Sequence, residues 1–275
     1  MDTSHQSATK ASIAPFAVTI LGTALFLAMA GCAPQQKAVT TALSSPMSLE
    51  KALVEPAQVE EAIGLEKQLN SRTDEAIPSG ENWFKVLPGT IPVIITAPHA
   101  TRPWREGKRR FSDGGGTASL AVLLHELTGA TVIYTTYEGP SDPNYYDDNA
   151  FKEQLAQLIA LNKPRMVLDI HGSHAYRSYD VDVGTMNGES LQGEDKLLSD
   201  LVQRLHQDGI FSLSGNRFPA AKNATITRFS HQHGVPAIQL EINSTYVMPS
   251  SGNLEAQRFS RLAQALARYI QDISH

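Results

Sequence analysis

From position 83 onward, short apolar runs alternate with longer stretches in which apolar residues recur every three or four positions. The run Thr90-Ile91-Pro92-Val93-Ile94-Ile95-Thr96 reads as a buried strand, and runs at 131–135, 165–170, 179–183 and 236–242 share its character. Helical periodicity marks 117–127, 149–161, 194–207 and a long C-terminal stretch, 253–273. Strands alternating with helices predict an α/β domain, a three-layer sandwich whose central sheet is mainly parallel or mixed and covered on both faces. No internal repeat is present.

Upstream the pattern weakens. Leu49, Leu53, Ile63, Leu65 and Leu69 stand among Glu and Gln and predict one or two helices interrupted near Pro56, a helical lead-in over 49–79 to a domain spanning 80–275. Residues 33–48 are rich in Ala, Thr, Ser, Gln and Pro, the composition of a tether that buries no core. Between Lys10 and Lys37 there is no charged residue, and 13–30 is an apolar run ending in small residues. That is the pattern of a signal peptide over 1–31. Met29-Ala30-Gly31-Cys32 resembles the bacterial lipobox, which implies cleavage before Cys32, its lipidation, and attachment to a membrane by a tether over 32–48. Several acyl chains on one residue anchor stably where one does not. Ala33, rather than Asp, resembles the outer-membrane sorting pattern, so an exported lipoprotein of the outer membrane or cell envelope is expected.

Composition narrows the chemistry. The 275 residues are 41% hydrophobic, enough for one substantial core, and the net charge of -5 offers no basic footprint for nucleic acid. The one cysteine is Cys32, so its acylation leaves no thiol for disulfide or nucleophilic work. Neither a Gly-x-Ser-x-Gly elbow nor a phosphate loop occurs, and Gly114-Gly115-Gly116 lacks the spacing of a dinucleotide fingerprint. His125-Glu126 begins like a zinc-protease helix, but Gly129 stands where the second histidine is required.

In open α/β sheets ligands bind beyond the carboxyl ends of the strands. Three apolar runs end there in polar side chains: Ile94 to Pro98 leads into His99, Met166 to Ile170 into His171, and Ala237 to Leu240 into Glu241. Two imidazoles and a carboxylate on one sheet edge form a metal-hydrolase set, because catalytic zinc takes such ligands and keeps a position for water. Asp169 precedes His171 by two residues, shares its side of an extended strand, and is placed to orient its ring. His174 is a weaker candidate for the site, and His231 and His233 read as helix-end residues.

Three blocks give the chain a family likeness: Ala97-Pro98-His99; Asp169-Ile170-His171-Gly172-Ser173 with Arg177; and Gly215-Asn216-Arg217-Phe218 through Thr225-Ile226-Thr227-Arg228 to Gln239-Leu240-Glu241. Over roughly 83–246 it resembles the N-formylglutamate amidohydrolase family, whose fold is similar to that of zinc carboxypeptidases. The resemblance implies a Zn2+ cofactor on His99 and His171, Glu241 as general base, and binding of a substrate carboxylate by Arg228, Arg217 and Asn216, with Arg177 beside them. Zinc carboxypeptidases carry a glutamate three residues after the first histidine, where this chain has Arg102. The carboxylate ligand must come from elsewhere. Asp113 and Glu106 are the alternatives, and Asp113 is preferred because it abuts Gly114 and a helix start.

The expected function is hydrolysis of a carboxylate-bearing amide such as an N-acyl-glutamate, on a small-molecule or peptide substrate. The rivals are a zinc carboxypeptidase or peptidoglycan-fragment amidase, and a non-catalytic binding lipoprotein.

Overall fold

A computed structural model describes residues 51–274. The signal segment expected at 1–31, Cys32 and the tether expected at 32–48 lie outside the described residues. The first helix, α1 (Pro56–Ser71), begins where an interruption was expected, because proline fits the first helical turn, where its missing N–H costs nothing. Glu55 and Gln58 complete a reciprocal cap.

A seven-stranded mixed sheet follows. Its strands in chain order are β1 (Phe84–Leu87), β2 (Val93–Ala97), β5 (Thr131–Thr135), β6 (Met166–Ser173), β7 (Val181–Gly184), β8 (Leu213–Gly215) and β9 (Ala237–Asn243), arranged β1-β5-β2-β6-β9-β7-β8. The central pairs β5·β2, β2·β6 and β6·β9 are parallel, while β1·β5 and β7·β9 are antiparallel. A two-stranded hairpin, β3 (Trp104–Arg105) with β4 (Lys108–Arg109), stands apart.

Alternation along the strands divides the interior in two. Val93, Ile95, Leu168 and Ile170 face one side, where they pack with α1, α2 (Gly115–Thr128), α4 (Asp195–Gln207) and α7 (Asn253–Ile273). Ile94, Ile133 and Val167 face the other, against α3 (Ala150–Asn162) and α5 (Ile226–Gln232). This is the three-layer α/β sandwich. Val59, Ala62 and Leu69 of α1 belong to the same cluster as the sheet, so residues before 80 contribute directly to the main core.

Phe259, Leu262, Ala263, Leu266, Tyr269 and Ile270 are buried along α7, the three- and four-residue spacing that marked 253–273. Elements without a clear periodic signal are short: β1, the hairpin, β8, α5 and α6 (Ser244–Val247). No helix among the described residues is long and apolar enough to cross a membrane.

Candidate metal and catalytic site

The parallel pairing of β2 with β6 aligns Thr96 with Asp169, and Thr96 Oγ1 donates to Asp169 Oδ1 at 2.6 Å. Two or three residues on, at the strands' carboxyl ends, the same alignment brings the rings of His99 and His171 to 4.9 Å between centroids. The segment leading into α2 crosses beside them. Asp113 N donates to His99 O at 2.8 Å, and Ser112 Oγ donates to Ala100 O at 2.8 Å. Gly172 makes that approach possible, since a Cβ there would lie 2.5 Å from Asp113 O. Gly114, with φ +97, then turns the chain into the helix.

Asp113 Oδ2 consequently lies 2.8 Å from His171 Nδ1 and 3.4 Å from His99 Nδ1. One donor atom from each of the three residues lies within 4.8 Å of the others, a buried cluster that fits a metal ion. Glu106, the alternative carboxylate, sits in the β3–β4 turn and accepts from Tyr145 Oη at 2.6 Å, outside that cluster.

The outer nitrogens strengthen the fit. His99 Nε2 meets Asp142 Oδ1 at 2.7 Å and His171 Nε2 meets Asp169 Oδ2 at 3.0 Å. An imidazole that donates Nε2–H to a carboxylate presents its Nδ1 lone pair to a cation, and the carboxylate fixes ring orientation and raises basicity. His99 Nδ1 is buried and has no hydrogen-bond partner, as a ligand atom would. Charge points the same way. Burial opposes a proton on His171, but Asp169 and Asp113 together push its pKa well above the ordinary range. Asp113 is likewise buried, yet Arg110, His99 and His171 hold it well below the usual carboxylate range. The cluster attracts positive charge, which a divalent ion would supply in place of that proton.

Asp142 had no sequence signal. It follows β5 in the segment Ser141-Asp142-Pro143, where Asn144 N donates to its Oδ1 at 2.9 Å. Burial would raise its pKa, but His99 and the Asn144 amide bring it to about 2, so it stays ionised against the ring.

Glu241 lies opposite His171 on β6 and opposite Asp182 on β7. Burial, followed by the charge of Asp113, lifts its pKa to about 7 even though His171, Arg110 and His99 pull the other way. With His99, Arg105, Arg110, Gln239 and Phe218 it lines a cavity of about 200 Å³. A carboxyl group that titrates near neutrality beside a ligand cluster is equipped to move protons.

The four residues expected to bind a substrate carboxylate do not line this cavity. Asn216 Oδ1 is occupied by the backbone N–H groups of Thr185 at 2.8 Å and Asn187 at 3.2 Å, so it ties two loops together. Arg217 is exposed, with its guanidinium 5.9 Å from the Tyr179 ring centroid. Arg228 lies on α5, and Arg177 sits over the rings of Tyr176 and Phe218. The cations that do line it are Arg105, Arg110 and Lys222. Two belong to the basic run at 102–110, and none stands at the carboxyl end of a strand of the seven-stranded sheet. His125, His231 and His233 stand outside the cluster; His233 Nδ1 meets Phe229 O at 2.8 Å.

No protein-family model and no curated protein sequence matches the chain. Solved structures similar to it include an N-formylglutamate amidohydrolase from Ralstonia eutropha, 14% identical with a TM-score of 0.49, covering 70% of this chain and 96% of that one. A bacteriophage poly-gamma-glutamate hydrolase is 21% identical with a TM-score of 0.44, covering 71% and 92%. A metallo-carboxypeptidase from Burkholderia cenocepacia is 14% identical with a TM-score of 0.46, covering 80% and 70%. These likenesses are too remote to bear on chemistry, which rests on the geometry above.

Proposed function

We propose that the protein is a zinc-dependent hydrolase of a carboxylate-bearing amide such as an N-acyl-glutamate. The observation that carries this reading is the convergence of His99 Nδ1, His171 Nδ1 and Asp113 Oδ2 beside a part-buried Glu241 whose pKa is near 7. Two nitrogens and one oxygen suit zinc, which in such a site polarises a carbonyl and acidifies water.

The chain's own groups supply the rest. Asp142 and Asp169 hold the two imidazoles in register. Glu241 takes a proton as water adds to the scissile carbonyl carbon, and returns it to nitrogen as the C–N bond breaks, giving a carboxylic acid and an amine, which exchange the second proton to leave as carboxylate and ammonium. Arg105 and Lys222 put positive charge on the cavity wall where the substrate's carboxylate is received, and Gln239 adds a neutral donor. Arg110 is committed to Asp113 Oδ1 at 3.0 Å. For the N-terminal segment, the lipobox-like Met29-Ala30-Gly31-Cys32 supports an exported protein anchored to a membrane through Cys32.

The test is metal content measured together with turnover of N-acyl-glutamates. The protein purified without chelator is expected to hold about one zinc per chain, and His171→Ala to lose both zinc and activity. Full zinc occupancy in His171→Ala would remove the site.

A further inference from the structure

An unbroken series of side-chain contacts, a collar, joins two residues that line the cavity. The guanidinium of Arg110 lies 4.3 Å from the Phe111 ring centroid, and Phe111 lies 6.2 Å from His174. His174 stacks on Tyr176 at 5.0 Å with 13° between planes. Arg177 then sits 5.4 Å from the Tyr176 ring and 5.1 Å from the Phe218 ring. Both ends of the series, Arg110 and Phe218, line the cavity. The series is also tied to the metal cluster by chain connectivity: Phe111 is two residues from Asp113, and His174 three from His171.

Two members of this collar expose large rings. Phe111 is 58% and Tyr176 76% exposed, among the six large hydrophobic side chains exposed in the described residues. Single exposed aromatics are ordinary, but two exposed rings joined through an imidazole and two guanidinium groups to residues that line the cavity form a contiguous aromatic patch. The collar's planar faces differ in chemistry from the cavity, whose Arg105, Lys222 and Gln239 suit a charged end. A substrate spanning both therefore has a carboxylate on one side of its amide and a flat, apolar group on the other.

We infer that the collar of Phe111, His174, Tyr176 and Arg177 is a second subsite, which receives a planar or aromatic acyl group of the substrate. The inference rests on the amidohydrolase reading for the identity of the bond cleaved, and it narrows that reading. A formyl group is too small to reach such a face, so the preferred substrates are aroyl or similarly flat N-acyl amino acids.

The experiment compares N-benzoyl-glutamate with N-formyl-glutamate, by kcat/KM and by calorimetric binding, in the wild-type protein and in Tyr176→Ala, Phe111→Ala and Tyr176→Phe. The wild type is expected to favour the benzoyl compound by roughly tenfold or more, the scale of one or two ring contacts. Each alanine variant should bring that ratio down toward one, and Tyr176→Phe, which keeps the ring, should preserve it. Because Tyr176 is largely exposed, its alanine variant is expected to fold, and Phe111→Ala gives an independent reading. A wild-type ratio near one in both measurements, or a ratio that survives both alanine substitutions, overturns the collar while leaving the hydrolase intact. Benzoyl-selective binding that is lost in the alanine variants without turnover of either compound sustains the collar and refutes the amidohydrolase reading.

Discussion

Replacing Glu241 by Gln separates a proton carrier from a metal ligand, and the structure sets the size of its effects. Burial first, and Asp113 second, lift the Glu241 pKa from 4.5 to about 7. At about 1.4 kcal/mol per pH unit, that difference makes the ionised carboxylate cost the metal-free fold roughly 3 kcal/mol. The sign follows from the direction of the shift. A carboxyl group raised in the folded state stabilises fully below its unfolded pKa, and that contribution is lost as pH rises from 4.5 through 7. Gln carries the same shape without the charge, so metal-free Glu241→Gln should gain on metal-free wild type by roughly 3 kcal/mol between pH 4 and pH 8. Urea unfolding in chelator at the two pH values measures this, and the other carboxylates, common to both proteins, largely cancel in the difference. In the zinc-loaded proteins, zinc content should be unchanged and turnover lower by roughly a hundredfold or more. The acid limb of kcat/KM should disappear with the carboxylate. Identical pH dependence of stability in the two proteins would refute the burial argument. Loss of zinc in Glu241→Gln would make Glu241 a ligand instead.

Three other outcomes are expected. Gly172→Ala puts a methyl group 2.5 Å from Asp113 O, so Asp113 must shift; zinc affinity measured by competition with a chromophoric chelator should fall, with a stability loss of about 1–3 kcal/mol in urea. Asp142→Asn keeps the bulk beside His99 but gives up the ionised acceptor 2.7 Å from Nε2, and zinc affinity should drop by roughly ten- to a hundredfold with the fold intact by circular dichroism. In cells, Cys32→Ser should abolish lipid labelling and release the protein from the membrane fraction; unchanged retention would point to an uncleaved apolar segment.

What could be read from the sequence, and what could not, divides along one physical line. His99, His171 and Glu241 are legible because each ends an apolar run, and a strand's register transmits that position faithfully: His171 and Glu241 are directly paired across β6 and β9. The long helix α7 is legible for the same reason, since its buried face repeats for 21 residues. Asp113 was within reach because the glycines after it mark a tight helix entry. Asp142 and Lys222 carry no such mark, as their positions depend on loops held by distant partners, for example Asn144 binding Ile226 N across 82 residues of sequence, and Arg105 lies in a two-residue strand too short for a periodic signal. The substrate candidates show the converse. Asn216 and Arg217 fall in a block whose residue order resembles a family pattern, but order does not say where a side chain's hydrogen bonds go. In the folded chain Asn216 Oδ1 is taken by Thr185 and Asn187, and Phe218, two residues on, is the side chain that reaches the cavity. Periodic burial thus locates His99, His171 and Glu241, the groups proposed to hold a metal and move a proton, at this sheet edge. The groups proposed to select the substrate lie in the surrounding loops, so on that proposal Phe111, Tyr176 and their neighbours decide between formyl and aroyl compounds.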